Sequence, residues 1–351
     1  MRGTYSDYLL RILNNPELRN SSAAFQDVAG KANHKFNEKN ELVGSGYYSH
    51  DRFQLNSDSL YNYSSANANL QWIHRFSNRF NMTNSVSYAD YQYTLSSSKN
   101  EQTAFQLDYD INHYGFKSAF TLFTENNANI SFGVTSTFYD LQPGKRGPIG
   151  AASLTTPVAL DQEKGIESAA YVGGEFDISA RFFVYAGLRL SVFNRLGPGQ
   201  SYSFEEGKPK EPEYINDTVY YQNNELIKTY MGPEPRVSAR FKVSEDLSLK
   251  LSYDRTYQYL HVLSNTTAVS PLDVWKLSDD YLKPQIGDQV ALGMYKSIYG
   301  TSLQLSIEGY YKHLANLLEY KDGASLLLNP DLQTDILSGT GRSYGIEFFF
   351  K

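Results

Sequence analysis

The chain has 351 residues, a formal net charge of −6 and no cysteine. The charge argues against a nucleic-acid-binding protein, because no basic stripe is available to neutralise phosphates. The absence of cysteine excludes disulfides and thiolate metal sites. The mean hydropathy is −0.47, and no run of about 18 apolar residues occurs, which excludes a transmembrane helix.

Stretches in which apolar and polar residues alternate predict fourteen strands. Successive side chains of a strand point to opposite faces, so each stretch has one apolar and one polar face. In the clearest stretch, 182–195, Val184 and Leu188 fall on one face and Tyr185 and Arg189 on the other. In chain order the predicted strands cover residues 2–13, 23–36, 41–54, 66–76, 81–95, 104–123, 129–141, 167–177, 182–195, 235–243, 247–260, 285–297, 301–318 and 342–351.

Short polar turns alternate with much longer connections between these strands. The long ones are 55–66, 96–103, 142–167, 196–235, 261–284 and 321–342. Outer-membrane barrels have short periplasmic turns and long extracellular loops, whereas a β-sandwich has Greek-key connections. The pattern therefore predicts an all-β, antiparallel up-and-down transmembrane β-barrel. The proline-rich segment 196–235 also allows a second interpretation, as a linker between two domains.

Several segments resemble the barrel of TonB-dependent outer-membrane receptors. Tyr185–Ser191 (YAGLRLS) is similar to one barrel strand of that family. Tyr281–Gln285 (YLKPQ), which leads into Gln289–Gly293, is similar to another segment, although Gln285 and Gln289 replace the acidic residues usual there. Gly341–Glu347 resembles the strand that follows. The resemblance extends over essentially the whole chain.

The resemblance implies a barrel of about 22 strands, plugged by an N-terminal domain and energised by the TonB complex of the inner membrane. Residues 1–351 then represent a partial barrel domain with about 14 of those strands, without the plug domain and the closing strands. Residues Met1–Tyr5 contain no apolar core of a signal peptide. We therefore expect the chain to be internal to a longer protein located in the outer membrane.

Charged residues share one face of the predicted strands. A charge on the lipid face costs about 2–4 kcal/mol for Arg or Lys at the midplane, so this face is predicted to line the lumen. There the charges either grip the plug and line the solute path, or form cross-strand ion pairs that stiffen the wall. The set consists of Arg189, Arg236, Arg240, Lys250, Asp254, Glu308 and Glu347.

Aromatic residues are concentrated in two long connections. An aromatic ring with a polar tip suits stacking on a sugar, a catechol or a flat macrocycle. The alternative is that these residues pack the loops against one another or belong to the outer aromatic girdle. The candidate ligand-binding residues are Tyr202, Tyr214, Tyr220, Tyr221, Tyr230, Trp275 and Tyr281.

The chain offers no catalytic pattern. Its six histidines lack metal-ligand spacing, and neither a nucleophile elbow nor a phosphate-binding loop is present. The carboxylate pairs Glu205–Glu206 and Asp279–Asp280 are predicted to be solvated loop charges, with a calcium or cationic-ligand contact as the alternative. We expect no enzyme activity, no cofactor and no metal site.

Three functions are compatible with these features. The first is active import of a large, scarce solute, such as an iron–siderophore, a cobalamin-like compound or an oligosaccharide. The partners implied by the resemblance are outer-membrane lipid, the plug domain, the TonB complex and the extracellular solute. The second function is a passive porin-like channel, and the third is a secreted all-β carbohydrate-binding protein that is soluble without detergent.

Overall fold

The computed structural model describes residues 2–5, 21–54, 59–124, 128–263, 274–298, 303–324 and 328–351. No helix within these ranges is long and apolar enough to cross a bilayer. Short 3-10 helices lie in the connections at Glu101–Thr103, Pro212–Tyr214 and Leu332–Thr334. The strands are β1 (Arg2–Tyr5), β2 (Ser22–Lys35), β3 (Asn40–Gln54), β4 (Ser59–Arg75), β5 (Phe80–Ser97), β6 (Phe105–Phe123), β7 (Asn129–Pro148), β8 (Val158–Ala159), β9 (Glu163–Ser179), β10 (Phe182–Leu196), β11 (Gly199–Phe204), β12 (Ile215–Tyr221), β13 (Leu226–Lys242), β14 (Leu247–Gln258), β15 (Leu260–Leu263), β16 (Val274–Leu277), β17 (Gln285–Ser297), β18 (Gln304–Tyr320) and β19 (Ile336–Phe350).

Fourteen of these strands form one meandering path through a single sheet. The order is β1-β2-β3-β4-β5-β6-β7-β9-β10-β13-β14-β17-β18-β19, and every neighbouring pair is antiparallel. The strand β8 pairs with β7, while β11–β12 and β15–β16 form separate two-stranded sheets. Among the described residues, no pairing joins β1 to β19, so the barrel is partial. The predicted all-β, up-and-down architecture is confirmed.

Several strands extend further than the alternation predicts. The strand β4 begins at Ser59, so the predicted long connection 55–66 is wrong, and β7 continues to Pro148. The strand β19 begins at Ile336. Where both faces of a strand are wet, the apolar alternation fades although the backbone ladder continues. Of the predicted strand 2–13, residues 6–13 lie outside the described residues.

The segment 196–235 differs most from its prediction. The strand β13 begins at Leu226 and pairs directly with β10, including the pairs Pro233–Leu190 and Pro235–Leu188. Pairing with β14 starts only at Arg236, so β13 has a neighbour on one side alone where the prolines lie. Proline lacks the N–H of a ladder bond and is tolerated at such places. Because β10 and β13 are neighbours in one sheet, the interpretation as an interdomain linker is wrong.

The two faces of the sheet alternate in rows that cross the strands. One row crosses six strands and consists of exposed apolar side chains: Phe182, Phe241, Leu249, Met294, Ile307 and Phe348. The next row lies on the other face and contains Phe183, Arg240, Lys250, Gly293, Glu308 and Glu347. We call these sides the apolar face and the polar face. Soluble proteins rarely expose a continuous apolar patch this long, so the apolar face suits hydrocarbon.

The buried core lies on the polar face, at the end of the sheet from which the long connections emerge. One cluster joins Tyr93 and Tyr109 of β5 and β6 to Leu282 and Leu332. Because these residues are remote in the sheet order, the sheet must curve around its polar face. The second cluster consists of Ile111, Leu141, Phe193, Tyr259 and Leu277. The stacked rings of Phe193 and Tyr259 in that cluster are 4.9 Å apart.

The two faces predict opposite responses to a new charge in β14. Leu251→Lys places an ammonium on the apolar face, where it should cost about 2–4 kcal/mol of stability in a bilayer. Ser252→Lys, one residue further on the polar face, is the matched control and should be tolerated. The measurement is the fraction of full-length receptor that is folded in the outer membrane, read from heat-modifiable gel mobility. Equal effects of the two substitutions would contradict the assignment of the faces.

Candidate functional site

The seven predicted lumen residues all lie on the polar face. The register places Arg240 beside Lys250, Arg236 beside Asp254, and Glu308 beside Glu347. Arg189 lies opposite Glu234, which is two residues before Arg236 on β13 and so points to the same face. Their common face is therefore a finding, whereas their contact with a plug or a solute stays a prediction.

Arg189 is fixed by carboxylates of both neighbouring strands. Its Nη2 donates to Glu167 Oε1 of β9 at 2.9 Å, and its Nη1 donates to Glu234 Oε1 of β13. Glu167 also accepts a hydrogen bond from the Tyr139 hydroxyl at 2.9 Å. Of the two roles open for the charged set, cross-strand pairing is therefore the one that Arg189 fulfils.

The cations nearest the short-turn end have a different environment. The guanidinium of Arg240 lies 4.4 Å from the centre of the Phe183 ring, and the ammonium of Lys242 lies 4.8 Å from it. Among the described residues, neither Arg240 nor Lys250 forms an ion pair with a carboxylate. Glu308, which belongs to the same row as Arg240 and Lys250, accepts a hydrogen bond from the Tyr295 hydroxyl at 2.6 Å. The row is therefore cationic on β13 and β14 and anionic on β18 and β19.

Tyrosine rings lie along this wall, against its glycines. A side chain at Gly173 or Gly187 would come within 2.8 Å of the Tyr185 hydroxyl, because that ring lies over both glycines. This contact explains the spacing of Tyr185 and Gly187 in the segment that resembles a receptor strand.

Three of the predicted ligand-binding tyrosines are used to pack the long connections. The Tyr281 hydroxyl donates to the Tyr202 carbonyl at 2.6 Å, and the Tyr202 hydroxyl donates to Asp331 at 3.1 Å. The Tyr230 hydroxyl donates to the carbonyl of Asp279 at 2.7 Å. Burial raises the pKa of Tyr281 and of Tyr230 to about 12, so both hydroxyls remain donors. These contacts join the connections before β13, β17 and β19.

The other four predicted aromatic residues are not gathered into one site. Tyr220 and Tyr221 lie on β12, where Tyr220 is 71% exposed. Tyr214 lies beneath the ammonium of Lys208, and Trp275 packs against the cluster of Phe193 and Tyr259. Tyr220 is thus the candidate with the most surface available for a solute.

A buried ion cluster, which we call the loop-base cluster, connects β16 to β9. The ammonium of Lys276 contacts Glu163 Oε1 at 2.9 Å and Asp279 Oδ2 at 3.0 Å. Glu163 accepts from the backbone N–H of Leu277, and Asp279 accepts from those of Tyr281 and Leu282, all at 2.8 Å. Burial by itself lowers the pKa of Lys276, but the carboxylates outweigh it and raise the pKa above its usual value. Lys276 likewise lowers the pKa of Asp279 against the effect of burial.

The loop-base cluster corrects the prediction for Asp279, and the sequence did not predict the pairing of Glu163 with Lys276. Asp279 is mostly buried and ion-paired, so its prediction as a solvated loop charge is wrong. Glu205 and Glu206 are exposed, as predicted. Glu163 and Lys276 carry no local sequence signal of their pairing. Glu163 lies in a polar run between Gln162 and Lys164, Lys276 is a single charge between Trp275 and Leu277, and their contact spans 113 positions. Among the described residues, no group of three or more His, Asp or Glu side chains is placed to hold a metal ion.

His261 of β15 is buried beside this cluster. Its Nε2 lies 2.8 Å from the Ser278 hydroxyl, and its Nδ1 has no hydrogen-bond partner among the described residues. Burial lowers the pKa of His261 to about 4. The imidazole is therefore neutral at neutral pH.

Together, the curved antiparallel sheet, its apolar outer face and its charged wall beneath packed loops define a partial membrane β-barrel. A family model described as TonB-dependent receptor-like, β-barrel, matches residues 4–350. The chain belongs to this family, whose members are outer-membrane transport receptors. No protein of curated function matches the chain by sequence.

Solved receptors share the fold at low sequence identity. The alcaligin outer-membrane receptor FauA of Bordetella pertussis has a TM-score of 0.59 and 14% identity, over 93% of this chain and 50% of that one. For the hemophore receptor HasR of Serratia marcescens, solved with its hemophore and heme, the TM-score is 0.67 and the identity 11%, over 97% and 54%. For the ferripyoverdine receptor of Pseudomonas aeruginosa these values are 0.64 and 13%, over 94% and 47%. The chain spans about half the length of these receptors.

Removing the ammonium of the loop-base cluster should loosen the segment 274–282. Lys276→Met leaves the buried carboxylate of Asp279 without its cation and Glu163 with only Arg195, 3.8 Å away, and breaking such a pair costs about 3–5 kcal/mol. The control is Lys296→Met, because Lys296 pairs with Asp246 in a more exposed turn. Hydrogen-exchange protection of residues 274–282 in the full-length receptor should fall for the first variant and stay unchanged for the second. Unchanged protection in Lys276→Met would contradict the structural role of the cluster.

Burial of His261 predicts that the β15–β16 hairpin weakens in acid. The unfolded hairpin binds a proton below a pKa of about 6.5, whereas the folded one resists protonation down to about 4. Stability is therefore complete above pH 6.5 and should decline by about 3 kcal/mol as the pH falls to 4. Amide protection factors of residues 260–263, corrected for intrinsic exchange rates, measure this change. His261→Gln should make them less dependent on pH, and an equal dependence in both proteins would contradict the assignment.

Proposed function

We propose that this chain is part of an outer-membrane receptor that imports a large, scarce extracellular solute with energy from the TonB complex. The carrying observation is the two-faced sheet, apolar outside and charged inside, within a sequence of the TonB-dependent receptor-like β-barrel family. The candidate solutes are an iron–siderophore, a cobalamin-like compound or an oligosaccharide. The similar solved receptors are described with alcaligin, heme and ferripyoverdine.

In this proposal, solute capture and solute passage occur at different parts of the sheet. The long connections, held together by Tyr202, Tyr281 and the loop-base cluster, capture the solute from outside. The polar face holds the plug domain. It offers the plug two cations that have no carboxylate partner among the described residues, Arg240 and Lys250, and the anions Glu308 and Glu347. Energy transmitted by the TonB complex then rearranges the plug and opens a path along this wall. Outer-membrane lipid covers the apolar face.

A transport assay tests this proposal against the porin alternative. The full-length receptor is expressed in paired strains with and without a working TonB complex, and uptake of labelled ferric siderophores, cobalamin and oligosaccharides is measured. Uptake that needs TonB and stops with an uncoupler of the proton gradient supports active import. Uptake that persists without TonB identifies a passive channel and overturns the proposal. Recovery of the full-length protein as a soluble secreted product would overturn both.

Substitutions at the two ends should separate binding from transport. Tyr220→Ala removes an exposed ring and should weaken solute binding by about 1 kcal/mol or more if stacking is lost from the capture surface. Lys250→Ala on the polar face should leave surface binding unchanged and lower uptake several-fold. Binding to whole cells and uptake are measured in parallel for each variant. Loss of binding in Lys250→Ala, or full uptake in that variant, would contradict the proposed role of the wall.

A further inference from the structure

A partly open cleft lies where four long connections meet. Its volume is about 180 Å³, and its lining comes from the connections before β9, β13, β17 and β19 together with the end of β10. Drug-sized ligands occupy sites of about 300–1,000 Å³. The cleft is therefore large enough for a single ring and too small for a whole siderophore.

Two donors that line this cleft lack acceptors. The side chain of Arg195 is only 7% exposed; its Nη1 donates to the carbonyls of Lys164 and Leu196 at 2.9 and 2.6 Å. Its Nε has no partner among the described residues, and its Nη2 lies 3.8 Å from Glu163, beyond hydrogen-bond distance. Gln333 is 9% exposed and lines the same cleft; its amide makes no hydrogen bond within the described part of the chain but, unlike the Arg195 Nε, is not fully buried. A buried donor such as the Arg195 Nε is costly unless an acceptor is supplied.

Acceptors face the same space. The cleft is lined by Asp161 and Asp280. The carboxylate of Asp280 accepts a hydrogen bond from the Ser201 hydroxyl at 2.5 Å and forms an ion pair with Lys228 at 3.3 Å. Asp161 is exposed and has no hydrogen-bond or ion-pair partner among the described residues. Of the lining residues Asp161, Glu163, Asp279 and Asp280 are acidic, and Arg195 and Lys276 are basic. This negative balance disfavours an anion, and the acids are not placed to bind a metal ion.

We propose that the cleft binds one neutral polyhydroxylated ring, as a subsite of the solute that the receptor captures. A hydroxyl group both accepts and donates, so it can satisfy Arg195 and Gln333 on one side and Asp161 and Asp280 on the other. The ring of Tyr281 provides an aromatic wall on which the apolar side of such a ring can pack. Because the ring touches four connections at once, its binding also holds those connections together. This inference rests on the proposed function, of which it narrows the solute class.

The test uses three probes that share one ring and differ in charge: glucose, glucuronate and glucosamine. Binding to the purified full-length receptor is measured by saturation-transfer NMR in a detergent without sugar headgroups. Glucose should bind. Glucuronate should bind more weakly because the lining is negative, and glucosamine because its ammonium cannot accept a hydrogen bond from Arg195. Arg195→Gln should raise the Kd for glucose roughly tenfold, and Gln333→Ala should raise it a few-fold. Asp217→Asn, on the exposed strand β12 outside the cleft, is the matched control and should not change it.

Two results would overturn the proposal. One is a lack of glucose binding in the cleft, seen either as no binding at all or as binding that is equal in Gln333→Ala and the wild type. In both cases the cleft holds only water. The other is a preference for glucuronate or glucosamine. Gln333→Ala keeps the test valid if Arg195→Gln disturbs the fold of the loops. TonB-dependent uptake without glucose binding would overturn only the proposal about the cleft. Glucose binding without any TonB-dependent uptake would overturn the proposed import function and leave the cleft as a binding site.

Discussion

Backbone hydrogen bonding in hydrocarbon is the constraint on which the rest of this structure depends. No water reaches the bilayer core, so each N–H and C=O there must be satisfied within the protein, and an antiparallel ladder does this strand by strand. The ladder in turn fixes the direction of every side chain, with a period of two residues. Phe241 lies on the apolar face for this reason, while its neighbours Arg240 and Lys242 lie on the polar face around Phe183. The prolines of β13 occur only where that strand has lost one of its neighbours.

At the long-loop end the same sheet is freed from this constraint, and packing takes its place. The connections are held by aromatic clusters on the polar face and by a buried ion cluster beneath them. Burying the charged ammonium of Lys276 is costly. The cost is offset by the two carboxylates that pair with it and by the backbone N–H groups that hold those carboxylates in place. The arrangement fixes the connection before β17 against β9. A capture surface built from several loops needs such a base, because loops without one lose binding energy to ordering.

The charged wall shows one of the two roles that its residues could have, cross-strand ion pairing. Arg189 is neutralised by Glu167 and Glu234 of the adjacent strands and stabilises the wall itself. Arg240 and Lys250 are neighbours of like charge without a carboxylate among the described residues, an arrangement that favours an acidic partner from elsewhere. The Tyr185 ring lies over two glycines of the wall, Gly173 and Gly187. Stabilisation of the wall is thus the role of Arg189, whereas recognition by Arg240 and Lys250 stays a prediction.

The sequence by itself determined the strand path, the two faces and the membership of the charged set in one of them. These follow from local patterns, since alternation and short polar turns act over a few residues, and the row from Arg240 to Glu347 is correctly placed by parity alone. Only the tertiary structure decided which loop residues are buried. Asp279 and Glu205 look alike in sequence, yet Asp279 is held by Lys276 while Glu205 is exposed. Tyr281 and Tyr220 look alike as well, yet one packs the loops and the other faces solvent. The physical reason is that loop contacts join residues more than a hundred positions apart, and no short-range period encodes them.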